Sequence, residues 1–355
     1  MFPDMLRDMK NAKRSIYIEY FIIEPGQMWD AMMAVLEDKL RQGVDVRVMY
    51  DDLGSISSFN FSNARELTQK GIPCVPFNPL LALKGTANYR DHRKMLIVDN
   101  EIAYSGGINL SDRYINLEHP YGHWKDTGFR LTGEGVHSFT HMFLTFWNAF
   151  ALKKGEAGTP MPALQDSDEA PREADGYVLS YYDSPLEHDA TSNQLFIDLL
   201  SQSTDYAWFF TPYLMLGDDL MAAMLTAARR GVDVRIIMPG IPDKKLIFRM
   251  SHSFYQVLLN GGVKIYEYTP GFVHAKSFVS DDRVATIGTV NLDYRSLFLH
   301  FENNSLFYRS GIVEKIKEDF LTTQALCSEV KPYDKKRYSR RWAVDGLLRI
   351  FAPLC

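Results

Sequence analysis

Two stretches of this chain carry the same reactive pattern. His92, Lys94 and Asp99 lie in DHRKMLIVDN, and His274, Lys276 and Asp281 lie in VHAKSFVSDD; both read H-x-K-x-x-x-x-D. On a strand, residues two apart project from one face, so each His and its Lys point together. A turn of small residues with an asparagine follows each copy: Ser105, Gly107 and Asn109 in the first, Gly288, Thr289 and Asn291 in the second. Two ammonium groups and two side-chain amides suit the oxygens of a bound phosphate. One neutral imidazole can attack phosphorus while the other, protonated, donates to the departing oxygen. Histidine is the side chain whose ordinary pKa allows both forms near neutrality. The lysines already supply positive charge, so no metal and no cofactor is expected. A single H-x-K is usually a solvated pair on a strand; it is the second copy that singles these residues out.

The motifs sit inside a longer repeat. GVDVRVMYDD at 43–52 returns as GVDVRIIMPG at 231–240, and GIPCVPFNP has a looser echo in GGVKIYEYTP. DHRKMLIVDNEIAYSGGINL returns as VHAKSFVSDDRVATIGTVNL. The offsets, 188 from Gly43 to Gly231 and 182 from His92 to His274, are nearly constant. They are too long for a solenoid repeat, so the chain reads as a duplicated domain. Each copy alternates strand-like and helix-like segments. SIYIEYFII, VDVRVMY, KMLIVDN and EIAYSGG read as strands, and 29–40 and FSNARELTQKG as helices. In the second copy YAWFFTPY and VDVRIIMP read as strands around a helix over 220–230. This alternation predicts an α/β fold of two units, each a mixed sheet flanked by helices, packed about a pseudo-two-fold axis. The expected boundaries are 1–152 and 177–330. A Pro-, Gly- and acid-rich linker at 153–176 separates the units, and a tail follows at 331–355.

Composition excludes several classes. Of 355 residues, 46% are hydrophobic and 23% charged, the chemistry of a globular chain with ample core. The net charge of −5 speaks against a nucleic-acid partner. Three scattered cysteines, Cys74, Cys327 and Cys355, form neither a disulfide framework nor a zinc spacing. No signal peptide or membrane span is expected, and the uncharged run 136–152 reads as a buried core helix. His137 and His141, four apart on that helix, lack a third ligand and read as packing. The other histidines, His300 among them, form no constellation. The stretch 206–213 reads as a buried strand, with Tyr213 and Tyr20 as candidates for a pocket mouth. The tail carries seven basic residues against two acidic ones between Lys331 and Arg349, interleaved with Trp342, Leu347, Leu348, Ile350 and Phe351. It reads as a basic amphipathic segment for an anionic membrane surface.

The duplicated motif resembles the signature of the phospholipase D superfamily. Within it, IEYFII, VRVMYDDLGS, NYRDHRKMLIVD, GGINLSDRY, GTVNLDYRS and FENN are most similar to bacterial cardiolipin synthases, over nearly the whole chain. The resemblance implies a phosphatidyltransferase in which His92 and His274 are nucleophile and general acid/base, His92 attacking. Lys94, Lys276, Asn109 and Asn291 would hold the phosphate. An acidic residue some 30 positions after each histidine, Asp126 after His92 and Glu302 after His274, would orient the rings. Asp99 and Asp281 complete the catalytic motif, although their place five residues beyond the lysines reads as tying down a turn. The implied reaction joins two phosphatidylglycerol molecules and releases glycerol, on the cytoplasmic face of the cell membrane with the protein attached peripherally. Members of the family commonly carry membrane helices ahead of the first unit, and this chain opens almost directly in that unit. A lipid hydrolase with water as acceptor, a nuclease and a catalytically silent scaffold are the competing readings.

Overall fold

The computed structural model describes residues 1–79, 88–153, 155, 157–163, 176–187 and 189–332, together with Gly346, Leu348 and Arg349. Most of the linker at 153–176 and of the basic tail at 331–355, including the amphipathic membrane segment expected there, lies outside the described residues. Of that tail, Leu348 packs against the core of the second unit and Arg349 donates to Ser253 O, 2.9 Å away.

The first unit comprises α1 (Phe2–Asn11), β1 (Ser15–Tyr20), α2 (Gln27–Arg41), β2 (Asp45–Asp51), α3 (Phe61–Gln69), β3 (Cys74–Phe77), β4 (Lys94–Val98), β5 (Ile102–Gly106), β6 (His123–Lys125), β7 (Gly128–Thr132) and α4 (Val136–Lys153). The second comprises β8 (Tyr177–Asp183), α5 (Thr191–Gln202), β9 (Tyr206–Phe210), β10 (Leu214–Met215), α6 (Asp218–Arg229), β11 (Asp233–Pro239), α7 (Lys245–Asn260), β12 (Lys264–Tyr268), β13 (Gly271–Val273), β14 (Ser277–Ser280), β15 (Val284–Gly288), β16 (Leu292–Asp293), α8 (Tyr294–Phe298), β17 (Glu302–Tyr308), α9 (Gly311–Gln324) and β18 (Cys327–Glu329).

The repeat is visible in the topology. The first sheet runs β3-β2-β1-β4-β5-β7, and the second runs β12-β11-β9-β14-β15-β17 in the same order, with β18 and β8 added at its two edges. Both are mixed: β1 lies parallel to β2 and antiparallel to β4, as β9 lies to β11 and β14. The looser sequence echo is structural too, since Cys74–Phe77 and Lys264–Tyr268 occupy equivalent places beside β2 and β11.

Strand alternation sorts the side chains into three cores. On β1, Ile16, Ile18 and Tyr20 face the outer helices, packing with Met5, Met9, Met32 and Leu36. Tyr17 faces the other way, into a core shared by both units. There the inner faces of the two sheets meet α4 and α9, through Met95, Ile97, Phe139, Phe143, Trp208, Val279 and Phe320. An outer core under α5, α6 and α7 completes the second unit. The uncharged run thus forms α4, with Val136, Phe139, Thr140, Met142, Phe143 and Leu144 buried between sheets. Among the described residues no helix is long and apolar enough to cross a membrane. The expected strand over SIYIEYFII stops at Tyr20. Beyond it Ile22 N is held by the side chain of Asn109, 3.1 Å away, which draws the chain out of the sheet.

Candidate active site

The two units are stitched together at the backbone, residue by residue, beside each H-x-K motif. Asp91 bridges to Phe301, His92 N donates to Phe301 O at 2.9 Å, and Phe301 N donates to Arg90 O at 2.9 Å. In the pseudo-symmetric place β13 pairs in parallel with β6, and His274 N donates to Lys125 O at 2.7 Å. Each histidine therefore begins where its chain segment leaves a strand pairing with the opposite unit. The residue that follows its partner strand is a carboxylate, Glu302 or Asp126.

This stitching crosses the histidine–carboxylate pairs. His92 Nδ1 lies 2.9 Å from both carboxylate oxygens of Glu302, and His274 Nδ1 lies 2.8 Å from Asp126. The sequence reading pairs each carboxylate with the histidine that precedes it in the same unit. The structure pairs it with the other one, because the strand pairing across the pseudo-axis brings 301–302 to 91–92 and 125–126 to 273–274. Both Nδ1 atoms are thereby engaged by carboxyl groups, which leaves each Nε2 outside that pairing.

The carboxylates are held differently. Glu302, fully buried, also accepts from the hydroxyls of Ser296 and Thr289. Asp126 accepts from Thr127 N at 2.9 Å and from the indole of Trp124 at 3.3 Å. Gly107 stands in the first unit where Thr289 stands in the second. A Cβ there would meet Asp126 Oδ1 at 2.0 Å and His274 O at 2.7 Å, so the close approach of the turn to this pair requires glycine.

Lys94 and Lys276 are 1% and 3% exposed, and each ammonium donates to the carbonyl of its own histidine. The groups from the two units act on one another: the Lys276 charge reaches His92 and Lys94, and the Lys94 charge reaches His274. Burial lowers His92 well below its ordinary value, with Lys94 adding to the effect. Burial and Lys276 bring His274 down to about 3. Burial likewise brings Lys94 to about 7, against the attraction of Glu302, and Lys276 to about 8, against that of Asp126. Burial raises Glu302 well above the carboxylate range, whereas at Asp126 the same burial is outweighed by His274 and Lys276 and the carboxyl is lowered. The lysines and the carboxyl groups attract one another, and burial holds both imidazoles toward the neutral form.

The asparagines do not play equal parts. Asn109 accepts from Ile22 N and donates to Tyr114 OH at 2.8 Å, which leaves one amide hydrogen for a ligand. Asn291, 5% exposed, has a buried Oδ1 with no hydrogen-bond partner among the described residues. Asp99 and Asp281 stand apart from the catalytic set in which the motif places them. Asp99 accepts from the backbone N–H groups of Lys13, Arg14 and Ser15, and Asp281 from those of Thr204, Asp205 and Tyr206. Each lies in a left-handed turn at the far end of the strand from its histidine and ties that end to the start of β1 or β9. Tyr20 is not at a pocket mouth: it is 2% exposed in the outer core, and it is Phe21 that sits edge-on to the His92 ring at 4.8 Å. Tyr213, partly buried, donates to Asp243 at 2.5 Å.

Several residues the sequence did not single out position the first motif. Arg90 and Arg93 flank His92 and are each 1% exposed. Arg90 is paired with Asp51 at the end of β2, and Arg93 with Asp91 and Glu19, its guanidinium 3.6 Å from the centre of the Phe146 ring on α4. Buried pairs of this kind fix geometry more than they stabilise. The second motif has apolar neighbours instead, Val273 and Ala275, both fully buried. The signal for the arginines was available, since charges within an otherwise buried block such as NYRDHRK demand partners. Tyr114 and Trp124 pack on His274, 5.4 and 5.2 Å between ring centres. His300 takes the corresponding place beside His92, at 5.9 Å.

The chain is similar to known proteins over nearly its whole length. The family described as cardiolipin synthase, phospholipase D-like domain, matches residues 5–124 and 196–323. An uncharacterised Streptococcus mutans serotype c protein is 47% identical over 99% of this chain and 76% of its own length. Cardiolipin synthase 2 of Bacillus anthracis is 35% identical over 99% of this chain and 68% of its own length. Among solved structures, the phosphatidylserine synthase of Haemophilus influenzae Rd KW20 aligns with a TM-score of 0.71 at 16% identity, covering 99% of this chain and 91% of that one, a likeness of fold.

Proposed function

We propose, from the premise that this chain belongs to the cardiolipin synthase, phospholipase D-like domain family and is a phospholipid phosphatidyltransferase, that it joins two phosphatidylglycerol molecules through a phospho-histidine. The observation that carries the reading is the pair of histidines, one from each unit, each held at Nδ1 by a carboxyl group of the other unit and accompanied by a buried lysine. His92 Nε2 attacks phosphorus and the bond to the headgroup glycerol oxygen breaks. That oxygen takes its proton from His274. The hydroxyl of a second phosphatidylglycerol then yields its proton to His274 and attacks phosphorus, which releases His92.

The differing carboxylates support this division of roles. An imidazolium is held more cheaply beside a carboxyl that stays ionised, and Asp126 is the one kept low. His92, beside the raised Glu302, is the better neutral nucleophile. A bound phosphodiester brings a negative charge into the site, and this favours a proton on His274. Lys94, Lys276, one Asn109 hydrogen and the Asn291 amide hold the phosphate oxygens. The protein attaches to the surface of an anionic membrane, where its substrate lies.

The reaction is tested with phosphatidylglycerol vesicles: cardiolipin and glycerol should appear in equal amounts. Phosphatidic acid as the main product would instead establish a hydrolase. The pH dependence follows from the lysines. Their folded-state values are depressed, so charge is lost as pH rises through about 7 for Lys94 and about 8 for Lys276. In kcat/KM, which follows the empty enzyme, activity declines across this window. In kcat the bound phosphate holds both lysines charged, so its basic limb lies at higher pH. Because His92 stays neutral well below its ordinary value, kcat/KM does not fall on acidification from pH 7 to 6. A soluble short-chain phosphatidylglycerol gives both profiles; coincident basic limbs, or a fall toward pH 6, would contradict this account.

A further inference from the structure

Phe301, whose carbonyl holds His92, turns its side chain away from the histidines into an apolar cleft of about 410 Å³. Phe77, Met142, Phe146 and Phe150 line it with Phe301 and Leu186, so that α4 of the first unit forms one wall and the segment after β8 the other. Its volume and lining are those of a ligand cavity. A second, polar cavity of about 190 Å³ lies beside it, lined by Asp183, Asp189 and His300 among others. The two cavities share Ser184 and Glu187. His300 Nε2 is buried with no hydrogen-bond partner among the described residues, and its ring lies 5.9 Å from that of His92. Three successive side chains thus point to three neighbouring places: Glu302 to His92, His300 to the polar cavity and Phe301 to the apolar cleft, the two cavities meeting at Ser184 and Glu187. At the cleft stands Lys153, its ammonium 5.4 Å from the Phe150 ring, a cation suited to an anionic lipid surface. Leu186, 74% exposed on the opposite wall, offers that surface an apolar side chain.

We propose that the cleft between α4 and the segment after β8 holds one acyl chain of the phospholipid substrate, whose polar glycerol-ester region passes by His300. The proposal rests on the phosphatidyltransferase reading of the site. A ligand of water-soluble phosphate chemistry would use the lysines and leave the apolar arm empty, and the closeness of both cavities to His92, one through His300 and the other through Phe301, argues for a chain attached to the reacting phosphate.

Two measurements test it. With phosphatidylglycerols of four- to eight-carbon chains below their micelle concentrations, KM should fall about fourfold for each methylene added to the chain in the cleft, the equivalent of about 0.8 kcal/mol. Ala149 lines the cleft at the surface of α4, so Ala149→Trp fills it without disturbing the core. This variant should keep the wild-type rate on the four-carbon substrate and lose the dependence on chain length, whereas Ala149→Ser keeps both. An unchanged dependence in Ala149→Trp overturns the proposal. The second measurement needs no turnover: photolabelling by phosphatidylglycerol with a diazirine near the chain end, in detergent micelles, should mark residues within 145–153 or 182–187. Labels confined to other segments overturn the cleft. If wild-type protein turns over no phosphatidylglycerol yet is labelled there, the transfer reading fails and the acyl site stands.

Discussion

Replacing either His92 or His274 by alanine is expected to lower phosphatidyl transfer on the order of 10⁴-fold or more, and replacing both to lower it no further, because the two imidazoles act as one unit. The physical reason lies in the crossed pairing. Each ring has its Nδ1 committed to a carboxylate from the other unit, so neither unit holds a complete site. Removing His92 leaves Glu302 still bonded to Ser296 and Thr289, and the variant should fold. His92→Asn, which retains a donor toward Glu302, serves as a second variant, and an unchanged thermal transition separates loss of chemistry from loss of structure. A His274→Ala protein working within tenfold of the wild-type rate would remove the shared-site model. In His274→Ala a covalent phosphatidyl-enzyme should still form from a donor with a good leaving group, and in His92→Ala none should form. An adduct mapped to His274 in the unmutated protein would reverse the roles.

The second large effect concerns the carboxylates. Asp126→Asn and Glu302→Gln should each cost about 10²- to 10⁴-fold, since an amide in place of a carboxylate no longer fixes the tautomer or supports an imidazolium. The losses should differ in kind. Asp126→Asn impairs proton donation by His274, so a donor with a p-nitrophenol leaving group should recover about 10- to 100-fold of the lost rate, as that group departs without a proton. Glu302→Gln impairs the attacking ring, so the same donor should recover little. In this respect Asp126→Asn should resemble His274→Ala, although Asp126 belongs to the unit of His92. Were it to resemble His92→Ala instead, the crossed pairing would have no functional meaning.

Much of the molecule was legible in residue order. Motif, repeat and strand–helix alternation are local or periodic properties, and they lead to two α/β units whose sheets share one strand order. A buried helix at 136–152 followed from its length and its lack of charge, as α4 shows. The place of Asp99 and Asp281 outside the histidine cluster was also open to reading, since five residues of strand carry a side chain some 16 Å from its lysine. Tyr20 misled because a pattern of alternation tells which residues share a face, and not whether that face meets a cavity or a helix. That the arginines beside His92 are charged within a buried block is visible in residue order, but their partners, Asp51 and Glu19, come from other strands and are not.

What the sequence determined by itself is the chemistry available: a histidine and a lysine in each of two copies, with carboxylates downstream. What only the tertiary structure decided is who serves whom. Asp126 lies 34 residues after His92 and yet binds His274, and Glu302 reaches back 210 residues to His92. Separation along the chain cannot report this, because the partner of a side chain at a domain interface is chosen by backbone hydrogen bonds between units. Here the pairings of β6 with β13 and of Asp91 with Phe301 carry each carboxylate across the pseudo-axis. Burial, and with it the displacement of the histidines, lysines and carboxyls of the site, belongs to the two units together, since groups of each act on groups of the other.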